Sequence, residues 1–230
     1  MKHIIVLILL AILPLHEIRA QYNTNRLIIS GQSALYYEDY VLSIQYFNQA
    51  LAAKPYLYEP WFYRGLAKFY LDDYTGSEAD VTKAIELNPY VFNMFELRGL
   101  CRIRQKHYAQ AIDDYTRSIN LNPQNQTAWY NRALCRIEDK DYVQAQLDLD
   151  TVITRWKSYA SAYSLKAQVY LLQADTLTAD KWLDKSLQVA PYDVDAWNMR
   201  GMIALSRAEW KNADTYLSKV IHLKPKNAAN

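Results

Sequence analysis

The sequence contains little glycine and little proline for its length, with 5 and 7 of these residues among 230. An average protein contains roughly 7% glycine and 5% proline, which is more than this chain has of either residue. Because these two residue types form most tight turns, a loop-rich sandwich or barrel is disfavoured. Apolar residues make up 51% of the chain, so it has enough hydrophobic surface to fold around a core.

An excess of charge of either sign is also absent. The chain has 26 basic and 24 acidic residues, which gives a net charge of +2. A protein that binds nucleic acid or anionic lipid through its overall charge has a much stronger basic imbalance. We therefore expect no nucleic-acid partner.

Residues suited to catalysis or metal binding are scarce. Of the four histidines, His3 and His16 lie in the first 20 residues, which leaves His107 and His222 far apart in the chain. The sequence contains no glycine-rich phosphate loop, nucleophile elbow or metal-binding helix motif. We expect a protein that is not an enzyme, with no catalytic residues, no cofactor and no metal site.

The first 20 residues have the order of parts of a secretory signal peptide. Lys2 precedes an apolar run over residues 4–13, and a polar stretch ends at Ala20 before Gln21. This run is shorter than the ~20 residues that span a bilayer. We expect cleavage after Ala20, export to a bacterial periplasm, cell envelope or medium, and no integral membrane span in the mature chain. A short membrane anchor and a buried first helix are the alternatives.

After residue 23 the sequence repeats every 34 residues. One arithmetic series contains five of the seven prolines and a single lysine: Pro55, Pro89, Pro123, Lys157, Pro191 and Pro225. With this residue at position 32, the repeats cover residues 24–57, 58–91, 92–125, 126–159, 160–193 and 194–227. Position 4 holds mostly large aromatic residues: Leu27, Trp61, Phe95, Trp129, Tyr163 and Trp197. Position 8 holds only small residues: Gly31, Gly65, Gly99, Ala133, Ala167 and Gly201.

The spacing within a repeat predicts two helices. Trp129, Ala133 and Ile137 lie on one face of a first helix. Asp141 has the place of an N-cap for a second helix, with Gln144 three residues later as in a capping box. The same capping position in other repeats holds Asp39, Asp73 and Asp175. Proline at position 32 ends the second helix because it lacks an amide donor. Each repeat is therefore predicted to be an antiparallel helix pair, with close helix contact at position 8.

The residue types at these offsets resemble those of the tetratricopeptide repeat (TPR) family, whose unit has aromatic, small, aromatic, alanine and proline residues in this order. The resemblance implies an all-α fold, an α-solenoid that forms a right-handed superhelix of six helix–turn–helix units over residues 21–230. It also implies a concave face lined by the first helix of each repeat. Lys157 in place of proline and Thr176 in place of an aromatic residue depart from the pattern, so we expect a looser junction near residues 155–160.

The resemblance places positions 2, 5, 9, 12 and 13 on the concave face. The residues that we predict to form a partner-binding groove are Phe62, Leu66, Phe69, Tyr70, Glu96, Leu100, Arg104, Tyr130, Leu134, Glu138 and Asn198. Repeats five and six are more polar there, with Ser164, Gln168 and Asp195. The family members that clamp a C-terminal carboxylate have Lys and Asn at positions 5 and 9. Phe62 and Leu66 stand there in repeat two, so binding of chaperone tails is disfavoured.

We expect an exported adaptor that binds a protein or peptide segment in this groove. A glycan-binding protein of the envelope is the second hypothesis, because aromatic faces suit sugar rings. The chain ends five residues after Pro225, without a terminal capping helix. This end favours either the N-terminal part of a longer TPR protein or self-association through the last repeat.

A series of basic residues has two competing interpretations. Position 7 holds Arg64, Arg98, Arg132, Lys166 and Arg200. Position 23 holds aspartate in the repeats richest in arginine, as Asp80, Asp114 and Asp148. The series is either an anion-binding stripe or a ladder of ion pairs between helices. The recurrence of aspartate favours the ladder, although the sequence does not say whether each pair lies within one repeat.

The two cysteines raise the question of a disulfide, since the chain has a predicted signal peptide. Cys101 and Cys135 both occupy position 10 of a repeat. Equivalent helices pack with their axes roughly 8–10 Å apart, whereas a disulfide joins Cα atoms roughly 4.4–6.8 Å apart. We therefore predict two free, buried thiols.

Overall fold

The computed structural model describes residues 23–223, so the predicted signal peptide, Pro225 and the C-terminal end lie outside the described residues. Within this range the chain forms twelve α-helices and no strand. Their bounds are residues 23–36 (α1), Tyr40–Ala53 (α2), Tyr58–Tyr70 (α3), Tyr74–Leu87 (α4), Phe92–Arg104 (α5), Tyr108–Leu121 (α6), Gln126–Glu138 (α7), Tyr142–Arg155 (α8), Ala160–Leu172 (α9), Thr176–Val189 (α10), Val194–Ser206 (α11) and Trp210–Leu223 (α12). These are two helices for each predicted repeat, and the all-α class is confirmed.

Contacts divide the helices into two compact bodies. The N-terminal body ends at Asn122 and contains α1–α6, and the C-terminal body begins at Pro123 and contains α7–α12. In both bodies each first helix packs against the second helix of its own repeat, and that second helix packs against the next first helix. The 34-residue period runs through Asn122 without a change, so it gives no sign of this division.

Most second helices begin at the predicted aspartate caps. The carboxylates of Asp39, Asp73, Asp141 and Asp175 accept a hydrogen bond from the backbone amide three residues later, over 2.9–3.3 Å. His107 stands at the same place before α6 and makes no side-chain cap. These bonds satisfy amides that an α-helix leaves without a partner in its first turn.

The turn inside every repeat uses a left-handed residue that is not glycine. The residues with positive φ values, from 57° to 64°, are Glu38, Asp72, Lys106, Lys140, Ala174 and Ala208. Glycine is the residue that usually occupies this conformation. This use of other residues agrees with the low glycine count, since the glycines serve helix contact instead.

Position 8 is small because a large side chain of the second helix fills the space beside it. A Cβ atom on Gly99 would lie 2.9 Å from Cζ of Tyr115, whose side chain is fully buried. In repeat four the equivalent positions hold Ala133 and Leu149, which share one core cluster. In repeats one and three, glycine therefore faces an aromatic ring of the second helix, Phe47 or Tyr115. Gly65 faces Val81 and Gly201 faces Leu217, so glycine is also used opposite aliphatic side chains.

The aromatic residue at position 4 links its repeat to the one before. Trp61 donates from Nε1 to the carbonyl of Pro55 over 2.9 Å, and Trp197 donates in the same way to Pro191 over 2.9 Å. Repeat five follows Lys157 and not a proline, and there the hydroxyl of Tyr163 donates to the carbonyl of Lys157 over 3.0 Å. This bond persists without proline because the acceptor is a backbone oxygen.

The basic series at position 7 forms ion pairs, and in repeats two to four each pair lies within one repeat. Arg64, Arg98 and Arg132 contact Asp80, Asp114 and Asp148, with N–O distances of 2.6–2.7 Å. A second base one helical turn later, which is Lys68, Arg102 or Arg136, contacts the same carboxylate at 2.6–2.8 Å. These aspartate side chains are only 2–5% exposed. The ion-pair interpretation is therefore the correct one for these repeats.

Repeats five and six replace the aspartate with an aromatic ring. Lys166 lies 4.3 Å from the ring centre of Trp182, and Arg200 lies 5.3 Å from that of Tyr216. Their opposite charges come from the preceding second helix, where Lys166 pairs with Asp150 and Arg200 pairs with two aspartates. Cation–π attraction thus takes the place of one ion pair while each base remains neutralised.

Both cysteines are free and buried. Burial raises the pKa of Cys101 to about 11 and that of Cys135 to about 12. The thiolate is the reactive form of cysteine, so these two thiols are protected both by burial and by protonation.

The first prediction concerns the ion-pair ladder. Arg98→Ala should lower the free energy of unfolding by about 3 kcal/mol, the lower end for a broken buried pair, since Arg102 still contacts Asp114. Urea unfolding followed by circular dichroism measures this. Lys83→Ala is the matched control, because Lys83 and Glu86 form a pair that is 47% and 58% exposed. The control should lose less than ~1 kcal/mol, and equal losses would contradict the burial argument.

The second prediction concerns the match between Gly99 and Tyr115. Gly99→Ala should destabilise the protein despite the higher helix propensity of alanine, because the buried ring cannot move away. The double variant Gly99→Ala/Tyr115→Leu copies the residue pair of repeat four. Its loss of stability should be ~1–2 kcal/mol smaller than the sum of the losses of the two single variants. A double-mutant cycle in urea measures the difference, and an additive result would show that the ring does not set the residue at position 8.

The third prediction concerns the thiols. Iodoacetamide at pH 8 should label neither cysteine quickly in the folded protein, because both pKa values lie well above the working pH. In denaturant without reductant, mass spectrometry should find two labels on each chain. A denatured chain that takes up no label would instead contain a disulfide.

Candidate binding clefts on the first helices

The predicted groove residues of the N-terminal body divide between its core and its surface. Phe62, Leu66 and Phe69 are half-buried and pack against the core cluster around Val81 and Met94. The other four differ in exposure: Tyr70 and Arg104 are exposed, and Glu96 and Leu100 are half-buried. Much of the apolar character expected in the groove therefore contributes to packing between helices.

A cleft of about 530 Å³ opens between α1, the start of α2 and α3. Its wall contains four tyrosines, and we call it the tyrosine cleft. The lining residues are Gln32, Leu35, Tyr36, Glu38, Tyr40, Tyr63, Leu66 and Tyr70. Leu66 and Tyr70 belong to the predicted groove set, and the structure brings them together here.

The rings of the tyrosine cleft are partly ordered by stacking. Tyr40 and Tyr70 stack with centroids 5.0 Å apart and planes 15° apart. Tyr63 stacks on the buried ring of Phe47 at 5.9 Å. Loss of hydration, the carboxylate of Glu38 and the nearby Tyr70 raise the pKa of Tyr40, so its hydroxyl stays protonated at neutral pH. The cleft thus offers aromatic faces together with hydroxyl donors.

A second cavity of about 380 Å³ lies beside the tyrosine cleft and shares Gln32 with it. It is lined by Asn25, Ile28, Ile29, Gln32, Leu57 and Glu59. Ile29 is 63% exposed, so this cavity adds apolar surface next to the tyrosines.

In the C-terminal body a cleft of about 310 Å³ opens across the first helices α7, α9 and α11. We call it the Asp195 cleft. It is lined by Tyr130, Ser164, Leu165, Gln168, Leu171, Asp195, Asn198 and Met199. The predicted groove residues Tyr130 and Asn198 meet here, as do the polar residues expected from repeats five and six.

The surroundings of Tyr130 show that the Asp195 cleft has a negative potential. Burial raises the pKa of its hydroxyl to about 12, and the neighbouring Tyr159 and the carboxylates of Asp195 and Asp193 act in the same direction. Its ring also meets Tyr159 edge-on, with centroids 5.2 Å apart. The cleft therefore holds a neutral, fixed tyrosine in a negative environment.

The remaining two predicted residues of the C-terminal body line neither cleft. Leu134 is half-buried and packs against the core cluster of α7–α9, and Glu138 is exposed. Sequence reasoning missed Tyr40 and Tyr63, because they lie outside the five positions that the resemblance assigns to the concave face. Tyr36 stands at position 13 of repeat one, which is one of those positions, but the predicted set began with repeat two. The count of 20 tyrosines was a usable signal that aromatic residues exceed what the repeat pattern needs.

The described residues contain neither a cluster of metal ligands nor a membrane-spanning helix. Between residues 23 and 223, no three His, Cys, Asp or Glu side chains are grouped so that they could hold a metal ion. No helix in that range is long and apolar enough to cross a membrane.

Comparison with known proteins finds a repeat family model and several similar folds. A tetratricopeptide repeat family model matches residues 97–146. No curated protein matches the sequence. PilW, a widely conserved type IV pilus biogenesis factor, has a similar solved structure with a TM-score of 0.75 and 16% identity. That match covers 89% of this chain and 95% of PilW.

Two further solved structures share the fold. A tetratricopeptide repeat protein from Parabacteroides merdae has a TM-score of 0.68 and 16% identity, over 89% of this chain and 80% of that one. YrrB, a TPR protein with an unusual peptide-binding site, has a TM-score of 0.61 and 15% identity, over 79% of this chain and 93% of YrrB. The family match shows a tetratricopeptide repeat segment over residues 97–146, and these structures show that the chain has the tetratricopeptide repeat fold.

Proposed function

We propose that this protein is an exported, non-enzymatic interaction scaffold that binds a protein or peptide segment on its first helices. The tyrosine cleft is the observation that supports this most. Tyrosine offers a large contact area with few rotatable bonds, and it is enriched at binding hot spots. Tyr36 and Tyr70 are 81% and 54% exposed, so they are available to a partner.

The state of the basic residues also supports a peptide over an anionic ligand. In repeats two to four, the bases at position 7 already contact buried aspartates, and an anion would have to displace a carboxylate held by two cations. The clefts on the first helices keep their side chains available instead. The fold accommodates peptides, since YrrB is described as having a peptide-binding site.

The fourth prediction tests the tyrosine cleft. A displayed peptide library should yield peptides whose affinity falls about 30-fold for the double variant Tyr36→Ala/Tyr70→Ala, the effect of losing ~2 kcal/mol at a hot spot. The control is Tyr90→Ala/Tyr192→Ala, which removes two tyrosines that are 76% and 78% exposed and line none of the three cavities described above. Equal binding by wild type and the cleft variant would overturn the assignment.

A glycan of the envelope is the second candidate, and the same cleft favours it. Aromatic faces with hydroxyl groups at their edges suit the apolar face and the hydroxyls of a sugar ring. A glycan array probed with wild type and the Tyr36→Ala/Tyr70→Ala variant separates the candidates. Binding of a glycan that depends on both tyrosines would favour this function, and an array without signal would remove it.

Export is part of the proposal and rests on the order of residues in the first 20 positions. When the full chain is produced in a bacterium, N-terminal sequencing of the protein from the envelope fraction should begin at Gln21. A chain that stays in the cytoplasm and begins at Met1 would contradict export without affecting the assignment of the clefts.

A further inference from the structure

We infer that the Asp195 cleft binds an arginine side chain of the partner segment. This inference rests on the proposed function, because it names the chemistry of one residue in the segment that the first helices bind. It concerns the C-terminal body and the tyrosine cleft belongs to the N-terminal body, so the two assignments are tested separately.

The lining of the Asp195 cleft carries a negative charge and no positive one. Asp195 is exposed, and no lysine or arginine lines the cleft beside it. Within residues 23–223 the Asp195 carboxylate forms no salt bridge, whereas Asp150, Asp180 and Asp184 nearby in the sequence each pair with a base. The complement of an acidic cleft without a base of its own is a cationic group from the partner.

The neighbouring carboxylate of Asp193 serves another purpose. Its Oδ1 accepts from the amides of Asp195 and Ala196, at 3.1 and 3.3 Å, and caps α11. Its Oδ2 accepts from the hydroxyl of Ser186 at 2.9 Å. Asp193 therefore adds negative potential to the cleft while its hydrogen bonds are occupied, which leaves Asp195 as the carboxylate that meets a ligand.

The shape and polarity of the lining favour arginine over lysine. Tyr130 places an aromatic ring in the lining, and the planar guanidinium of arginine stacks on aromatic rings. The side-chain oxygens of Gln168 and Asn198 add acceptors for a group with five N–H donors. Leu171 and Met199 provide an apolar wall for the aliphatic stem, which arginine buries while its head stays polar.

The same features argue against an anionic or purely apolar residue at this site. A carboxylate of the partner would face Asp195 with no cation in the lining to offset the repulsion. A leucine would cover Gln168, Asn198 and Asp195 and remove their hydration without returning a hydrogen bond. Arginine satisfies the polar groups and the apolar wall together.

The fifth prediction uses N-acetyl-arginine methylamide as the probe. Titrated into the ¹⁵N-labelled mature protein, it should shift the backbone amides of α9 and α11 around Gln168 and Asn198 in a saturable way. Asp195→Asn should raise its dissociation constant at least tenfold. Asp214→Asn is the matched control, because it removes an exposed aspartate of α12 that does not line the cleft, and it should change nothing.

Two further measurements keep the outcome clear. Asn198→Ala should also weaken the probe, so that the result does not depend on one variant, and circular dichroism should show both variants folded. N-acetyl-glutamate methylamide should give no saturable shift. The inference is overturned if the arginine probe does not saturate, if Asp195→Asn leaves its affinity unchanged, or if the glutamate probe binds as well. Peptide binding at the tyrosine cleft would survive each of these results.

Discussion

The contact on which repeats two to four depend is the ion pair between the base at position 7 and a buried aspartate. The base lies against an aspartate of its own second helix, as in the pair of Arg98 and Asp114 at 2.7 Å. Two of these bases also reach the preceding second helix, where Arg64 donates to Asn48 and Arg98 donates to Thr82. One side chain thus joins three helices. The buried aspartate needs its bases, because loss of a base removes part of the compensation of a buried charge.

This constraint determines where binding can take place. In repeats two to four the basic residues at position 7 are paired between helices, so the clefts on the first helices are where we propose that a partner binds. Those faces differ between the two bodies. The tyrosine cleft presents aromatic surface with hydroxyls, and the Asp195 cleft presents a carboxylate, amides and one tyrosine.

Much of the fold follows from the sequence, because repeated packing leaves a repeated pattern. The series from Pro55 to Pro191 predicted the end of each second helix, and Asp141 and Asp175 predicted their starts. The left-handed turns at residues such as Lys140 were not predicted, since no glycine marks them. Tyr40 and Tyr63 were missed for a different reason. They stand at repeat positions outside the predicted concave set, so the repeat pattern alone does not assign them to a cleft.

The account is tested most directly by hydrogen exchange with a peptide selected for binding. Mass spectrometry of the free and bound protein compares protection of every helix at once. The account predicts added protection in α1 and α3, around Tyr36 and Tyr70, and in α9 and α11 when the peptide contains arginine. Protection confined to the second helices, with the first helices unchanged, would contradict the claim that the first helices form the binding surface.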